Sequence, residues 1–317
     1  MTASAADRRI RSLRPPKPYV DPYVAHGTVV EEERRPDGRI ERALTVFLAG
    51  AECPFTCAFC DLWRYTIDGP TPPGALVAQL ERVLADAAEP LPERLKLYTA
   101  SNFFDRRAVP PDDLPALARL AEAFDSVTVE SHASTIGPGA AAFARMLRGR
   151  LEVAMGLETI HPVAAAKLNK RLTLARFDRA AQMLAADGID VRAFVLLGAP
   201  HVRPEESVEW TVRTVEHAAA QGAAVVAIIP VRGGNGEMER LAARGEFTPP
   251  TLAQLEDALD RCGHIAGTVV TADSWDVEQS AQCAACLPAR AERLRRINVS
   301  GGARREPRIA CDVCGAG

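Results

Sequence analysis

Cys53, Cys57 and Cys60 stand in the segment AECPFTCAFCDLWRY at C-x3-C-x2-C spacing. Thiolates so closely spaced can wrap one compact metal centre, and thiolate suits zinc or iron–sulfur. A cubane cluster has four irons, each normally held by a cysteine. A local set of three would leave one iron open to a substrate or cofactor. Four more cysteines form two pairs, Cys283-Ala-Ala-Cys286 and Cys311-Asp-Val-Cys314. Two such pairs supply four thiolates, enough for a closed tetrahedral zinc site or an auxiliary iron–sulfur cluster. Cys262 stands alone and reads as packing.

The elements that must position these thiols have a regular order. The cysteine loop follows Leu44-Thr45-Val46-Phe47-Leu48, an apolar run that suits a strand covered on both faces. Pro36-Asp37-Gly38 marks a turn before it, so the run is the second arm of a hairpin. Helices near 74–88, 112–124, 138–148, 162–187 and 204–220 then alternate with strands at 95–99, 126–130, 151–155, 190–197 and 223–229. A helix near 251–265 and a short strand, GTVVT, close the series. Such alternation predicts a parallel α/β barrel or a doubly wound sheet. The pattern breaks near residue 273, where apolar runs give way to paired cysteines and arginines.

Loops at the C-terminal ends of barrel strands carry chemistry. Those ends here hold Thr99, Ala100, Ser101 and Asn102, then Glu130, then Glu158, then Gly198. A glycine such as Gly198 lets another group approach the backbone closely. The run Arg232-Gly233-Gly234-Asn235-Gly236 before a helix is a candidate anion cradle, though such a run is more often a plain turn. His161 and His201 read as packing or surface groups. Lys167, Asn169 and Lys170 sit where substrate contacts would be expected, with a solvated helix face as the plainer reading for the lysines.

The chain of 317 residues has a net charge of −3, so no global basic field draws nucleic acid. Both ends are nevertheless basic. Residues 1–18 carry net +4, and residues 287–309 carry seven arginines: 290, 293, 295, 296, 304, 305 and 308. Arginine clusters suit phosphate; a helix salt-bridged to an acidic body is the equal alternative. Gly and Pro, 22 and 23 residues, are too few for a disordered low-complexity chain. No apolar segment is long enough to span a membrane or to serve as a secretory signal. The expectation is a cytoplasmic protein whose cysteines bind metal rather than pair.

The cysteine loop, with Phe59 just before the third cysteine and a strand before the first, resembles the radical S-adenosylmethionine (SAM) superfamily. LYTASNFFD, VESHAS, GLETIHPVAAAKLNKRLT and FVLLGAP are most similar to the radical SAM component of archaeosine synthase and its bacterial relatives. The resemblance implies a partial (βα)6 TIM-like barrel over 40–272; the residue pattern sets beside it a basic N-terminal arm and hairpin over 1–39 and a Cys-rich, Arg-rich metal module over 273–317. It implies a [4Fe–4S] cluster on Cys53, Cys57 and Cys60. It also implies SAM held by Phe59, residues 99–102, Glu130, Glu158 and Gly198, and an electron donor such as a flavodoxin or ferredoxin. The implied activity is reductive cleavage of SAM, with a modified nucleoside in RNA or tRNA as substrate. A small molecule or peptide is the alternative substrate, and a metal-bearing RNA-binding protein without catalysis is the alternative class.

Overall fold

Strand periodicity in GTVVEEER and IERALTVF resolves into a hairpin. A computed structural model describes residues 3–263, 265–301 and 306–315. In it β1 (Gly27–Arg34) pairs antiparallel with β2 (Ile40–Phe47) across the Pro36-Asp37-Gly38 turn. Gly38 adopts φ +88°, which glycine tolerates without strain. From β2 onward every neighbour is parallel: β3 (Arg94–Tyr98), β4 (Ser126–Glu130), β5 (Arg150–Glu158), β6 (Asp190–Leu197), β7 (Val225–Pro230) and β8 (Val269–Ala272). The strand order follows the chain, and the eight strands form one curled half-barrel sheet. This is the expected α/β, TIM-like partial barrel, with the GTVVT segment supplying its last parallel strand.

Helices between the strands cover its outer face. They are α2 (Ala75–Ala85), α3 (Leu114–Leu120), α4 (Pro138–Met146), α5 (Pro162–Lys167), α6 (Leu174–Ala186), α7 (Ser207–Ala220), α8 (Glu237–Ala243) and α9 (Leu252–Cys262). One apolar cluster joins strand to helix, with Leu95, Leu97, Val127, Val129, Phe124, Phe143 and Phe177 inside it. Cys262 is buried there too, as its lone position suggests. α9 starts at a capping box in which the Gln254 amide donates to Thr251 Oγ1 at 3.2 Å and Gln254 Oε1 accepts the Thr251 amide at 2.9 Å. Such a box satisfies two donors that the first turn leaves free.

The inner face differs. Alternation along β3 turns Arg94, Lys96 and Tyr98 inward while Leu95 and Leu97 face the helices. Arg94 meets Glu41 at 3.2 Å and Glu152 at 3.3 Å; Arg192 meets Glu152 at 2.8 Å and Glu33 at 2.7 Å. Lys96 reaches Glu31 and Glu33 at 2.6 and 2.7 Å. These residues lie near the N-terminal ends of the parallel strands, so a buried ion network floors the barrel away from the cysteine loop. Removing one member leaves an uncompensated buried charge, which costs about 3–5 kcal/mol.

The structure sharpens the sequence reading at three places. The helical segments expected over 162–187 are two helices, separated at 168–173, where Asn169 and Arg171 take φ of +54° and +58°. The N-terminal arm is a helix, α1 (Ala5–Leu13), opened by a Ser4–Asp7 capping box. The arginine-rich stretch is a helix as well, α10 (Leu287–Ser300). It packs on both β1 and β8, the two edges of the sheet, and buries Leu294 and Ile297 in the main core.

Candidate active site

The cysteine loop leaves β2 at the C-terminal mouth of the barrel, and loops from four directions hold it. Ala51 bridges to Ile67. The Ala58 amide donates to the Leu168 carbonyl at 2.9 Å. Asn169 Nδ2 donates to the Thr56 carbonyl at 2.8 Å, and Thr56 Oγ1 bonds to Asp7 of α1. Asn235 Nδ2 donates to the carbonyls of Ala58 and Cys60 at 2.8 and 3.2 Å, while its Oδ1 accepts the Met238 amide at the start of α8. The loop carrying the thiols is therefore fixed through its own peptide groups.

Cys53, Cys57 and Cys60 are each half-buried. Burial pushes the Cys57 thiol up to about 12, and neighbouring thiols push the same way. Cys60 rises further for the same reasons, and burial raises Cys53 as well. Lys170 opposes this at Cys57 and Cys53. A bound metal supplies positive charge of the kind that such thiolates need. Asn102 Nδ2 lies 3.3 Å from Cys53 Sγ, and its Oδ1 accepts the His132 amide at 2.8 Å. The His132 ring stacks on Phe55 at 4.0 Å between centroids. Burial and the Lys170 charge hold that imidazole down at about 4, hence neutral at pH 7.

The residues around the thiols divide by what they already touch. Glu130 Oε1 accepts the Thr99 amide at 2.8 Å. The amides of Ala100 and Ser101 also favour its charged form, but burial pushes its carboxyl up to about 7. Glu130 thus braces the 99–102 loop from beneath. Ala100 in that loop has φ +54°. Thr99 Oγ1 and Ser101 Oγ are buried without a hydrogen-bond partner, which is unusual for hydroxyls. Glu158 has φ +69° beyond a register shift in β5, and its Oε1 meets Lys170 Nζ at 2.6 Å. A Cβ at Gly156 would meet Glu158 Oε1 and Lys170 Nζ and displace that pair. Phe59 packs against the apolar group of Leu168, Leu196, Ala199, Val231 and Met238.

Gly198 has another explanation than close approach by a ligand. Its φ is +76°, and an added Cβ would lie 2.7 Å from Pro250 Cδ. The glycine run 232–236 is not an open anion cradle either. Glu239 accepts the Gly236 amide at 2.7 Å and also the Gly234 amide, so a carboxylate of the chain occupies it. His161 caps α5 by accepting the Ala164 amide, and His201 faces Glu246 at 3.6 Å, as their packing reading expects. Asn169 is taken up by the cysteine loop rather than offered to a substrate.

Near the chain end, the sulfurs of Cys283, Cys286, Cys311 and Cys314 all lie within 4.8 Å of one another, a set that could hold a metal. The described arginines between the pairs are engaged by carboxylates of the chain. Arg290 and Arg293 are buried and meet Glu256 and Asp260 of α9, both at 2.6 Å. Arg308 meets Asp257 and Asp260, and Arg295 and Arg296 meet Glu292. The helix salt-bridged to an acidic body is the reading that the contacts support. Arg304 and Arg305 lie outside the described residues.

Asp7, Thr56 and Asn235 were not legible as loop clasps. Only Ser4-x-x-Asp7, a capping signature, hinted that the N-terminus is ordered.

The curled sheet is similar in fold to solved structures that include radical SAM enzymes. The archaeal Methanocaldococcus infernus Elp3 with N-terminus deletion (1–46) matches at TM-score 0.50 and 14% identity, over 70% of this chain and 58% of that one. A radical SAM methyltransferase from Sphaerobacter thermophilus matches at TM-score 0.47 and 15% identity, over 86% of this chain and 82% of its own. In sequence the chain is a homologue of archaeosine synthase subunit beta from Methanosarcina acetivorans, 26% identical over 230 residues. That match covers 69% of this chain and 66% of the relative, so the chain spans just under two thirds of the relative's length. No family model matches. Among the described residues, no helix is long and apolar enough to cross a membrane.

Proposed function

We propose that the chain is a radical SAM enzyme acting on a nucleoside in RNA. Cys53, Cys57 and Cys60 hold a [4Fe–4S] cluster, with one iron left for the amino and carboxylate groups of SAM. Bound there, the cluster supplies the electron for reductive cleavage of SAM, delivered by a flavodoxin or ferredoxin in the cytoplasm. The observation that carries this reading is a three-thiol loop pinned at the barrel mouth beside buried hydroxyls that lack partners.

The chain's own groups have distinct duties in this reading. Asn102 donates to Cys53 and orders the thiol against the third strand end. Thr99 and Ser101 offer unpaired hydroxyls on the loop where the SAM amino group is expected. Glu158 and Lys170 meet at 2.6 Å beside the thiols. Phe59 and its apolar neighbours supply the dry surface against which adenine would pack.

An RNA substrate is favoured by the relative, an archaeosine synthase subunit. It is favoured also by a cleft of about 410 Å3 at Cys53 and Pro54, lined by Arg11, Arg14 and Arg107. Arg14 pairs with Glu52 at 2.7 Å, but Arg11 and Arg107 have no ion pair among the described residues. Phosphates tracking that cleft would pass beside the thiols.

The test is anaerobic incubation of reconstituted protein with dithionite and SAM, assaying 5′-deoxyadenosine. Formation by the wild type and its loss in Cys57→Ala, with the thermal transition unchanged, is the expected result. Equal formation by the variant would overturn the assignment.

A further inference from the structure

We infer that Cys283, Cys286, Cys311 and Cys314 hold one zinc ion, and that this ion anchors α10 in the gap between the two edges of the sheet. The inference is independent of the reaction at the barrel mouth.

Sulfur spacing separates a single ion from a cluster. Zinc binds thiolate at about 2.3 Å, so a tetrahedral set has its sulfurs about 3.8 Å apart. Cys286 and Cys314 Sγ are 3.8 Å apart, and all four sulfurs lie within 4.8 Å. An iron–sulfur cluster spreads its thiolates over several irons and holds them further apart. The backbone is also shaped for a single ion. The Cys286 thiol lies 3.9 Å from the Cys283 carbonyl, so the first pair turns back on itself. The second pair turns on Gly315, whose φ is +68° and whose amide donates to the Cys311 carbonyl at 2.8 Å.

Packing explains why an ion is needed. No residue of the segment from Glu306 to Gly315 is buried, and Val313 is 77% exposed. Its ties to the body include the carbonyls of Glu306 and Pro307 on Arg293 Nε, both at 3.0 Å, and the ion pairs of Glu306 and Arg308. Partly exposed ion pairs contribute little, so apolar burial and charge together do not order this segment. A structural metal does so directly, because its binding free energy is folding free energy. Cys286 is also the N-cap of α10. The ion therefore joins the start of the helix to the returning segment. The helix in turn covers both β1 and β8.

The test uses Cys53→Ala/Cys57→Ala/Cys60→Ala, which leaves the C-terminal thiols as the metal set. One zinc per chain with no acid-labile sulfide is expected; iron, sulfide or no metal overturns the inference. Zinc is then stripped from the folded variant with an organomercurial, followed by limited proteolysis. Cleavage within the segment after α10 while the barrel resists is expected, and unchanged protection would overturn the anchoring role. If the triple variant does not fold, the wild type is assayed for zinc. One zinc per chain supports the inference, and its absence overturns it.

Discussion

Cys53, Cys57 and Cys60 sit in a loop whose peptide groups are clasped by Asn169, Asn235 and Leu168, side chains and backbone from distant strand ends. Cys283, Cys286, Cys311 and Cys314 draw together at the start of α10 and the segment that returns to it, with sulfurs inside 4.8 Å. The first set numbers three and faces the barrel mouth beside unpaired hydroxyls; the second numbers four and closes on itself. A closed set suits structure and an open one suits chemistry. The difference teaches that the barrel holds its thiol loop through hydrogen bonds from other loops, whereas the tail thiols face one another as a set that could hold a metal.

The largest effect that could break this contrast is at Cys57. Cys57→Ala should abolish deoxyadenosine formation yet keep the tail zinc and the thermal transition. Loss of zinc in that variant would show the two sites to be one system. Next comes the barrel floor. Glu152→Ala strands Arg94 and Arg192 and should cost about 3–5 kcal/mol in chemical denaturation. A loss below about 1 kcal/mol would mean that the network does not support the mouth.

Asn235→Ala should be milder. It frees the carbonyls of Ala58 and Cys60 and removes the α8 cap. A loss of about 2–3 kcal/mol is expected from these bonds, with faster iron release from the reconstituted protein. Unchanged iron retention would make the clasp irrelevant to the thiols.

Acid and base act in opposite directions. Glu130 titrates at about 7 when folded, above its ordinary 4.5, so its contribution is present below pH 4.5 and fades as pH rises through 7. His132, at about 4 against an ordinary 6.5, contributes above pH 6.5 and loses that contribution as pH falls through 4. Glu152, at about 2, loses its own as pH falls from 4.5 through 2. Glu130→Gln should therefore flatten the decline in unfolding free energy between about pH 5 and 8. A decline as steep as in the wild type would remove Glu130 from the explanation.

The smallest effect concerns RNA. Arg11→Ser/Arg107→Ser should reduce the salt slope of RNA binding by about one to two. Arg295→Ser should leave it unchanged, since Arg295 already pairs with Glu292. The reverse ranking would place the RNA surface on α10.

Much of the fold was legible because its signals are local. The strands at 126–130 and 190–197 emerged where apolar runs marked them, and the three cysteines stood out by spacing alone. What stayed hidden depends on partners remote in sequence. Leu168 to Thr173 contain neither glycine nor proline, so nothing announced the break that lets Asn169 reach the cysteine loop. Arg290 and Arg293 looked like phosphate ligands because Glu256 and Asp260 lie more than thirty residues earlier. Leu287, Ala291, Leu294 and Ile297 recur at helical spacing, a signal that supports the helical alternative for the arginine-rich stretch. Residues 99–102 and Glu130 were chosen as ligand contacts. Their backbone bracing is tertiary and could not be read from types alone.

The most direct measurement is deoxyadenosine formation by the anaerobically reconstituted wild type with dithionite and SAM, on a sample whose iron, sulfide and zinc are counted. About four irons with one zinc, and deoxyadenosine that disappears in Cys57→Ala, is the expected outcome. Zinc alone after reconstitution, with no deoxyadenosine, would contradict a radical enzyme and leave a metal-stapled barrel that binds without reacting.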